Sequence, residues 1–582
     1  MTQNNPGKVN RQSRTAARVP TAFPFLSVPQ ISLIILEWLV LLAPFLFGLF
    51  FAWCSAVTSI VLIALLFLFT RAHLLQLSVS PPFLAALSIV LFQFGGMLWG
   101  VDRGMALVGT VQFLPLPLFV LLLEQYSSEQ RMSLLRRMPY AACVMVLLSL
   151  LLSCIPDLQE WFTVAGRQSG FFQYPNTYAL YLLLSVVLVL SGEQLRFGRL
   201  PWLLILLFGI VLSGSRTVFI LLIIVLLICL LREKSKKACL TVFVPVGVLL
   251  LACFLFAAIT GHRGILARYL TISFSSSEFL GRLLYARDAL PVILKHPLGL
   301  GYTGYRWLQG SFQTGVYSVQ HVHNELLQLL LDVGWIPAGL FLRALFHSFH
   351  SSDGGFCRKL FLSVLVLHCL LDFDTQFVSV AMLLFLAMDT EPPAPHLLRR
   401  NTVPAAILSV TALFSLWVGS ASFFHYLGDP SVSVKTDPFY TDSLVELLPA
   451  ASGEQASLLA ARILSLNPAV VSAYNTKARS SLYSGQWEEM VLYKQKALTL
   501  SPYSLAEHLE YFDMLRISYE RCLQQGRTDG ASACLRLLHE IPTTLASIRS
   551  RTSPLGWSIQ DQPNLELPSD RLLWLNAHPM YA

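Results

Sequence analysis

The chain reads as an all-α protein: a polytopic membrane helix bundle of about 12–13 spans, followed by a small soluble α-helical domain. Three observations predict this. Of 582 residues, 55% are hydrophobic and only 13% charged, where a soluble globular chain carries roughly a quarter charged residues. Apolar runs such as LLIIVLLICLL (221–231) and FVPVGVLLLACFLFAAI (243–259) recur along the sequence, and a bilayer helix needs about 20 mostly apolar residues. After residue 424 these runs cease, and from Gly428 onward the chain is polar enough to be soluble. The formal charge of +8 does not signal nucleic acid, because no basic arm with interleaved aromatics is present.

Residues 1–28 are basic and polar, with no small-residue cleavage site behind a short apolar core, so they are expected to form a disordered cytoplasmic tail rather than a signal peptide. Within the membrane domain, 29–425, spans are expected near 31–50, 52–70, 82–99, 104–123, 138–155, 176–192, 200–213, 216–231, 240–260, 324–342, 359–371, 375–389 and 403–424. Two pairs, the first with the second and the seventh with the eighth, are joined by very short turns. Orientation tests them, because Lys and Arg concentrate in short cytoplasmic loops. With the tail inside, those loops hold Arg71, Arg131, Arg136, Arg137, Arg196, Arg199, Arg232, Lys234, Lys236, Lys237, Arg343, Arg358, Lys359, Arg399 and Arg400. The short external loops hold Arg103, Arg167 and Arg216. Merging either close pair inverts every later loop and destroys the asymmetry, so thirteen spans stand.

The external loop 261–323 is long and basic, with Arg263, Arg268, Arg282, Arg287, Lys295 and Arg306. Long translocated loops escape the charge rule, so this charge suits either an anionic membrane-bound substrate or lipid headgroups. Thirteen spans place residues 428–582 outside as well. There AARILSLNPAVVSAY is echoed by KQKALTLSPYSLAEH, and Pro468 and Pro502 lie 34 residues apart. That is the tetratricopeptide period, so a small tetratricopeptide-like domain is expected, docking a protein partner or a glycan. Cysteines 54, 143, 229, 253 and 369 sit in apolar runs without any C-x-x-C pair and read as small buried hydrophobes. Cys522 and Cys534 could pair in an oxidising exterior.

Four polar patches share the external side: GRQSGFFQYPNTYALYL (166–182), SGSRT (213–217), FLGRLLYARDALPVILKHPLGLGYTGYRW (279–307) and HVHNELLQLLLDVGW (321–335). Arg216 stands in a tight turn between two apolar helices, where its planar fork suits either phosphate binding or a simple anchor at the interface. Arg287 follows Arg282 by about 140° of helix, so the two cannot share one face closely. His296-Pro297 followed by Gly299, Gly301 and Gly304 reads as a tight turn. GLGYTG lacks the βαβ setting of a dinucleotide fingerprint. Asn324 is a helix N-cap and Glu325 a first-turn acid favoured by the helix dipole. Two histidines alone, His321 and His323, make a poor metal site. Asp372 and Asp374 in LDFDTQF are explained equally by a capped helix end.

Taken in order, these patches resemble the O-antigen ligase and O-antigen polymerase superfamily of polytopic glycosyltransferases, over roughly residues 30–390. The most specific pieces are the helix and turn running from Gly281-Arg282 to HPLGLGYTGY, then HNELLQLLLDVGWIPAGLFL. Tyr174-Pro175-Asn176 with Ala179, and the SGSR turn, add support. The resemblance implies an inner-membrane glycosyltransferase that moves a glycan from an undecaprenyl-pyrophosphate carrier to an acceptor hydroxyl, with inversion and with no metal or cofactor. It implies that Arg216 and Arg282 hold the pyrophosphate and that His323 is the base or orients the acceptor. Arg167, Asn176, Arg287, His296, Asn324 and Glu325 are the accompanying candidates for substrate binding. The acceptor, whether glycan, lipid or protein, is left open, as is the choice between ligase and polymerase.

The chemistry is consistent. Cleaving an anomeric bond to pyrophosphate concentrates negative charge that arginines can stabilise, and a neutral histidine can take the acceptor proton. The rival reading is a secondary transporter, which predicts mid-membrane ionisable groups and internal symmetry. Glu37 is the obvious mid-span acid, and no repeat of six spans is visible.

Overall fold

The structure is a computed structural model, and it describes residues 26–77, 79–191, 197–233, 275–351, 355–389 and 402–580, with scattered positions between 240 and 273 and the pair 396–397. Among these residues the chain is helical apart from two short antiparallel pairs, Gln76–Leu77 with His396–Leu397 and Thr163–Val164 with Arg167–Gln168. Six helices are long and apolar enough to cross a membrane: Val28–Phe45, Ala52–Arg71, Pro81–Trp99, Met105–Leu123, Ser128–Ser153 and Val403–Tyr426. Pro175–Leu190, Leu200–Ser213 and Val378–Ala387 are shorter apolar helices. Prolines mark several starts, at Pro81, Pro139, Pro175 and Pro201, where the missing N–H would have had no intrahelical partner.

Burial sorts these helices. Pro175–Leu190 is buried at all but Asn176 and Leu188, and Val378–Ala387 is buried throughout. Both are apolar on every side and occupy the centre of the bundle, as such helices must. Peripheral helices leave Leu98, Leu231, Val410 and Leu413 exposed, side chains that hydrocarbon solvates as well as protein does.

The structure changes the expected tenth span, and the ninth, 240–260, lies largely outside the described residues. Residues 324–342 are not one span but parts of two helices, Glu325–Val333 and Trp335–His350, broken at Gly334 with φ +76°. The cause is tertiary. The HPLGLG turn inserts its backbone at the break: the Trp335 amide donates to the Pro297 carbonyl at 2.9 Å, and Gly301 to that of Asp332 at 3.0 Å. A Cβ on Gly334 would lie 2.2 Å from the Pro297 oxygen, and one on Gly299 2.6 Å from the Asp332 oxygen. Only glycine lets the two chains meet so closely.

The turns that end these helices gather at one end of the bundle. Phe45 packs on Phe171 at 5.1 Å and Phe50 on Phe377 at 5.0 Å, while Val101 donates to the Leu300 carbonyl at 2.8 Å. The C-terminal helices rest on the same end. Asp102 accepts from Thr441 at 2.8 Å and Asn467 at 2.9 Å, and the Gln560 amide donates to Ser277 at 2.7 Å. Within that domain Gly453–Leu466 and Val471–Tyr483 recur as Trp487–Leu500 and Leu505–Gln524, each start displaced by 34 residues. Fully buried Lys494 ties the repeats together by donating to Asn475 at 2.9 Å and Glu507 at 2.5 Å, and by pairing with Glu510. Cys522 and Cys534 are buried there as free thiols.

Candidate functional site

Pro175 forces the preceding residue into extended backbone, so Tyr174 (φ −140°) stands just outside the central helix while Asn176 occupies its first turn. Across from them the helix Phe356–Cys369 stops, and Asp372 follows in the short link to the 3-10 turn Asp374–Gln376. Asp372 is the centre of the site. Its side chain is 2% exposed, and one oxygen accepts from the Tyr174 hydroxyl at 2.8 Å, from His323 Nδ1 at 3.1 Å and from the Phe373 amide at 3.0 Å. The other accepts from Asn176 at 2.7 Å and Arg282 at 3.3 Å. Burial by itself raises this carboxyl, but the His323 hydrogen bond and the charges of Arg282 and the neighbouring histidines outweigh it, leaving Asp372 ionised well below the usual carboxylate range.

An ionised carboxylate only accepts. The Asp372 bond therefore assigns the proton of a neutral His323 to Nδ1 and leaves Nε2 as the acceptor. The ring is held between Phe373, at 5.1 Å, and Tyr285, at 6.2 Å.

A second hub adjoins the first. The SGSR turn closes with Gly214 at φ +61° as the C-cap of Leu200–Ser213, so Arg216 opens the next helix, Arg216–Arg232. Arg216 pairs with Glu278, which Arg268 also reaches at 3.3 Å. Partial burial raises the Glu278 carboxyl, and Arg268 with Arg216 pull it below its ordinary value. Glu278 and Arg282 are four residues apart on the helix Ser277–Lys295, hence neighbours on one face. Arg167 joins the hubs by donating to the Ser213 carbonyl at 2.8 Å and to Asn176 at 2.7 Å. Burial, then the nearby Arg268, lowers its guanidinium to about 10, so it remains charged at neutral pH.

Arg216, Arg282, His323, Arg167 and Asn176 therefore gather in two linked clusters. Asn324 is the N-cap of Glu325–Val333, accepting from Leu327 at 3.0 Å and donating to the Leu370 carbonyl at 2.8 Å. Glu325 is buried beneath the site, accepting from the Thr375 amide and Gln376, both at 3.1 Å, and so braces the 374–376 turn. Two candidates stand apart. Arg287 is exposed and bonds to neither hub, and exposed His296 caps the far end of its helix, about 21 Å along the axis from Arg282 at 1.5 Å per residue. Sequence reasoning left Asp372 open, a helix-end cap explaining it equally well. It missed Glu278, Arg268 and Tyr285. The available signal was an acid, Asp372, just beyond an apolar helix end, where an ionisable group demands a partner.

Residues 201–342 match a family model described as O-antigen ligase. The match takes in Arg216, Glu278, Arg282 and His323, whereas Arg167, Tyr174, Asn176 and Asp372 fall outside it. No curated protein and no solved structure matches the chain.

Proposed function

We propose that the chain, similar over residues 201–342 to an O-antigen ligase family model, moves a glycan from an undecaprenyl-pyrophosphate carrier onto an acceptor hydroxyl at the outer face of the cytoplasmic membrane. The observation that carries this reading is the single hydrogen-bonded network linking His323, Asp372 and Arg282. His323 Nε2 takes the acceptor proton as the oxygen attacks the anomeric carbon from the side opposite the leaving group. The anomeric C–O bond breaks, its electron pair leaves with the pyrophosphate, and the sugar inverts. Arg167, Arg216, Arg268 and Arg282 gather around the carboxylates Glu278 and Asp372, a concentration of guanidinium groups that suits a doubly esterified pyrophosphate. The arginines supply the charge stabilisation that a metal ion provides in other transferases. In this reading the N-terminus is cytoplasmic. The C-terminal helices form a tetratricopeptide-like domain on the opposite side, contributing to acceptor or partner choice.

The test is reconstitution in proteoliposomes with a lipid-pyrophosphate glycan. Wild type is expected to lengthen or transfer the glycan, while Arg216→Ala loses about 10²–10³ in rate and His323→Ala about 10²–10⁴, with both variants inserted and folded. Full activity in both variants refutes the assignment. A ladder still on lipid identifies a polymerase, and transfer to a separate acceptor identifies a ligase.

A further inference from the structure

A cavity of about 320 Å³ opens beside the His323 site at the same end of the bundle. Phe50, Phe51, Tyr302, Tyr426 and Tyr440 line it with aromatic side chains, and Arg306, Gln320, His321 and Asp442 supply polar groups. These residues come from helix ends, from the HPLGLGYTG loop and from the C-terminal helices, which complete the lining through Tyr440 and Asp442. Its partition from the catalytic side is thin. The His321 ring lies 5.0 Å from Phe373 and the Phe373 ring 5.1 Å from His323. The two imidazoles are thus at most about 10 Å apart, within the reach of a short oligosaccharide.

The lining carries polar groups that the protein leaves unused. His321 Nδ1 and the Thr303 hydroxyl are buried without a hydrogen-bond partner among the described residues. Thr303 also holds φ +60°, a conformation that β-branched residues rarely adopt. Uncompensated groups and strained backbone persist where the surroundings enforce them, and they concentrate at ligand sites. Burial first, then the charges of His323 and Arg306, push His321 down to about 3, so the ring is neutral and offers one donor and one acceptor. The Arg306–Asp442 pair at 2.9 Å, with the Arg306 guanidinium 4.6 Å over Trp307, fixes a planar donor and acceptor edge. Aromatic side chains beside hydrogen-bond donors and acceptors are the complement of a sugar, which has apolar C–H surfaces and many hydroxyls. The volume also lies in the range of small-molecule pockets.

We propose that this cavity is an acceptor subsite, holding one sugar of an acceptor glycan while a hydroxyl further along is presented to His323. The proposal rests on the glycan-transfer reading of the His323 site. It assigns the acceptor to the carbohydrate class and gives the C-terminal domain, through Tyr440 and Asp442, a direct part in choosing it.

The full chain, purified in detergent, is to be titrated with the methyl glycosides of glucose, galactose and N-acetylglucosamine under saturation-transfer NMR. Wild type is compared with Tyr426→Ala, Gln320→Ala and Arg216→Ala. Gln320 is exposed, so its variant tests the lining even if loss of the Tyr426 ring disturbs packing. At least one glycoside is expected to bind wild type and Arg216→Ala alike, and to bind Gln320→Ala about five- to tenfold more weakly, the effect of one lost hydrogen bond. In the transfer assay Gln320→Ala should raise the acceptor KM and leave the donor KM unchanged. No binding by any glycoside, or binding equal in wild type and both cavity variants, overturns the subsite. If transfer is absent from wild type while binding still maps to the cavity, the transfer reading fails and the sugar site stands. If transfer proceeds with cavity variants indistinguishable from wild type, the subsite fails and the transfer reading survives.

Discussion

Replacing Asp372 by asparagine isolates the positioning role proposed for it. The carboxylate accepts from Tyr174, His323 and the Phe373 amide on one oxygen and from Asn176 and Arg282 on the other. An amide of the same shape keeps one acceptor only. With its oxygen toward His323, its NH₂ opposes the Asn176 and Arg282 donors, which lie 2.7 and 3.3 Å from the native oxygen. Flipped, it opposes Tyr174, His323 and Phe373 instead. Either rotamer buries facing donors and removes the charge paired with Arg282. Breaking a buried pair in this way costs about 3–5 kcal/mol. At about 1.4 kcal/mol per tenfold, the loss of rate is about 10²–10⁴ if it falls on the transition state. Initial rates in proteoliposomes, with donor and acceptor varied separately, should show kcat falling much more than either KM changes. The folded carboxyl is held below its ordinary value, so its contribution is complete above about pH 4 and is lost only as the pH falls through the folded value. The deficit should therefore be constant between about pH 5 and pH 9 as far as Asp372 is concerned. A folded Asp372→Asn protein within about threefold of wild type, a difference of about 0.7 kcal/mol, would refute the reasoning.

Other perturbations test the frame around the site. Gly334→Ala places a methyl 2.2 Å from the Pro297 oxygen at φ +76°; it should lower the thermal unfolding midpoint and impair transfer, by about 1–3 kcal/mol of backbone strain at least, and an unchanged midpoint would argue against the helix break. Lys494→Ala leaves Glu507 and Glu510 facing each other, and because these partners are 18% and 25% exposed the loss should sit near the lower end, about 3 kcal/mol, read as earlier unfolding and faster proteolysis of the C-terminal helices. Asp102, pushed up to about 7 by burial and then by the charge of Asp442, favours docking of that domain fully below about pH 4, and the contribution is lost as pH rises through about 7. Proteolytic cleavage around residues 427–440 should accordingly be faster at about pH 8 than at about pH 5, with the difference reduced in Asp102→Asn.

Much of the bundle was visible in the sequence because a spanning helix is a local property. About 20 contiguous residues decide whether hydrocarbon will solvate them, and proline and glycine mark the ends, as at Pro175 and Gly214. The 34-residue displacement of the C-terminal helices was legible for the same reason, and so was the Asn324 cap, which needs only its own first turn. Helix geometry alone separated Arg282 from Arg287. The site itself was legible only as an assembly of polar patches. His323 meets Asp372 across 49 residues, Arg282 across 90 and Tyr174 across 198, and no local pattern encodes a hydrogen bond at those separations. The span that became two helices makes the same point. Residues 324–342 are apolar enough for one helix, yet the backbone of Pro297–Gly301 reaches Gly334 and breaks it. Solvation and local backbone preference, carried by neighbouring residues, thus determined which segments are helical. Which carboxylate orients which histidine was decided only when the folded bundle brought His323 to Asp372 and His368 to Asp374, because an unpaired polar group in that interior costs more than the local preferences it overrides.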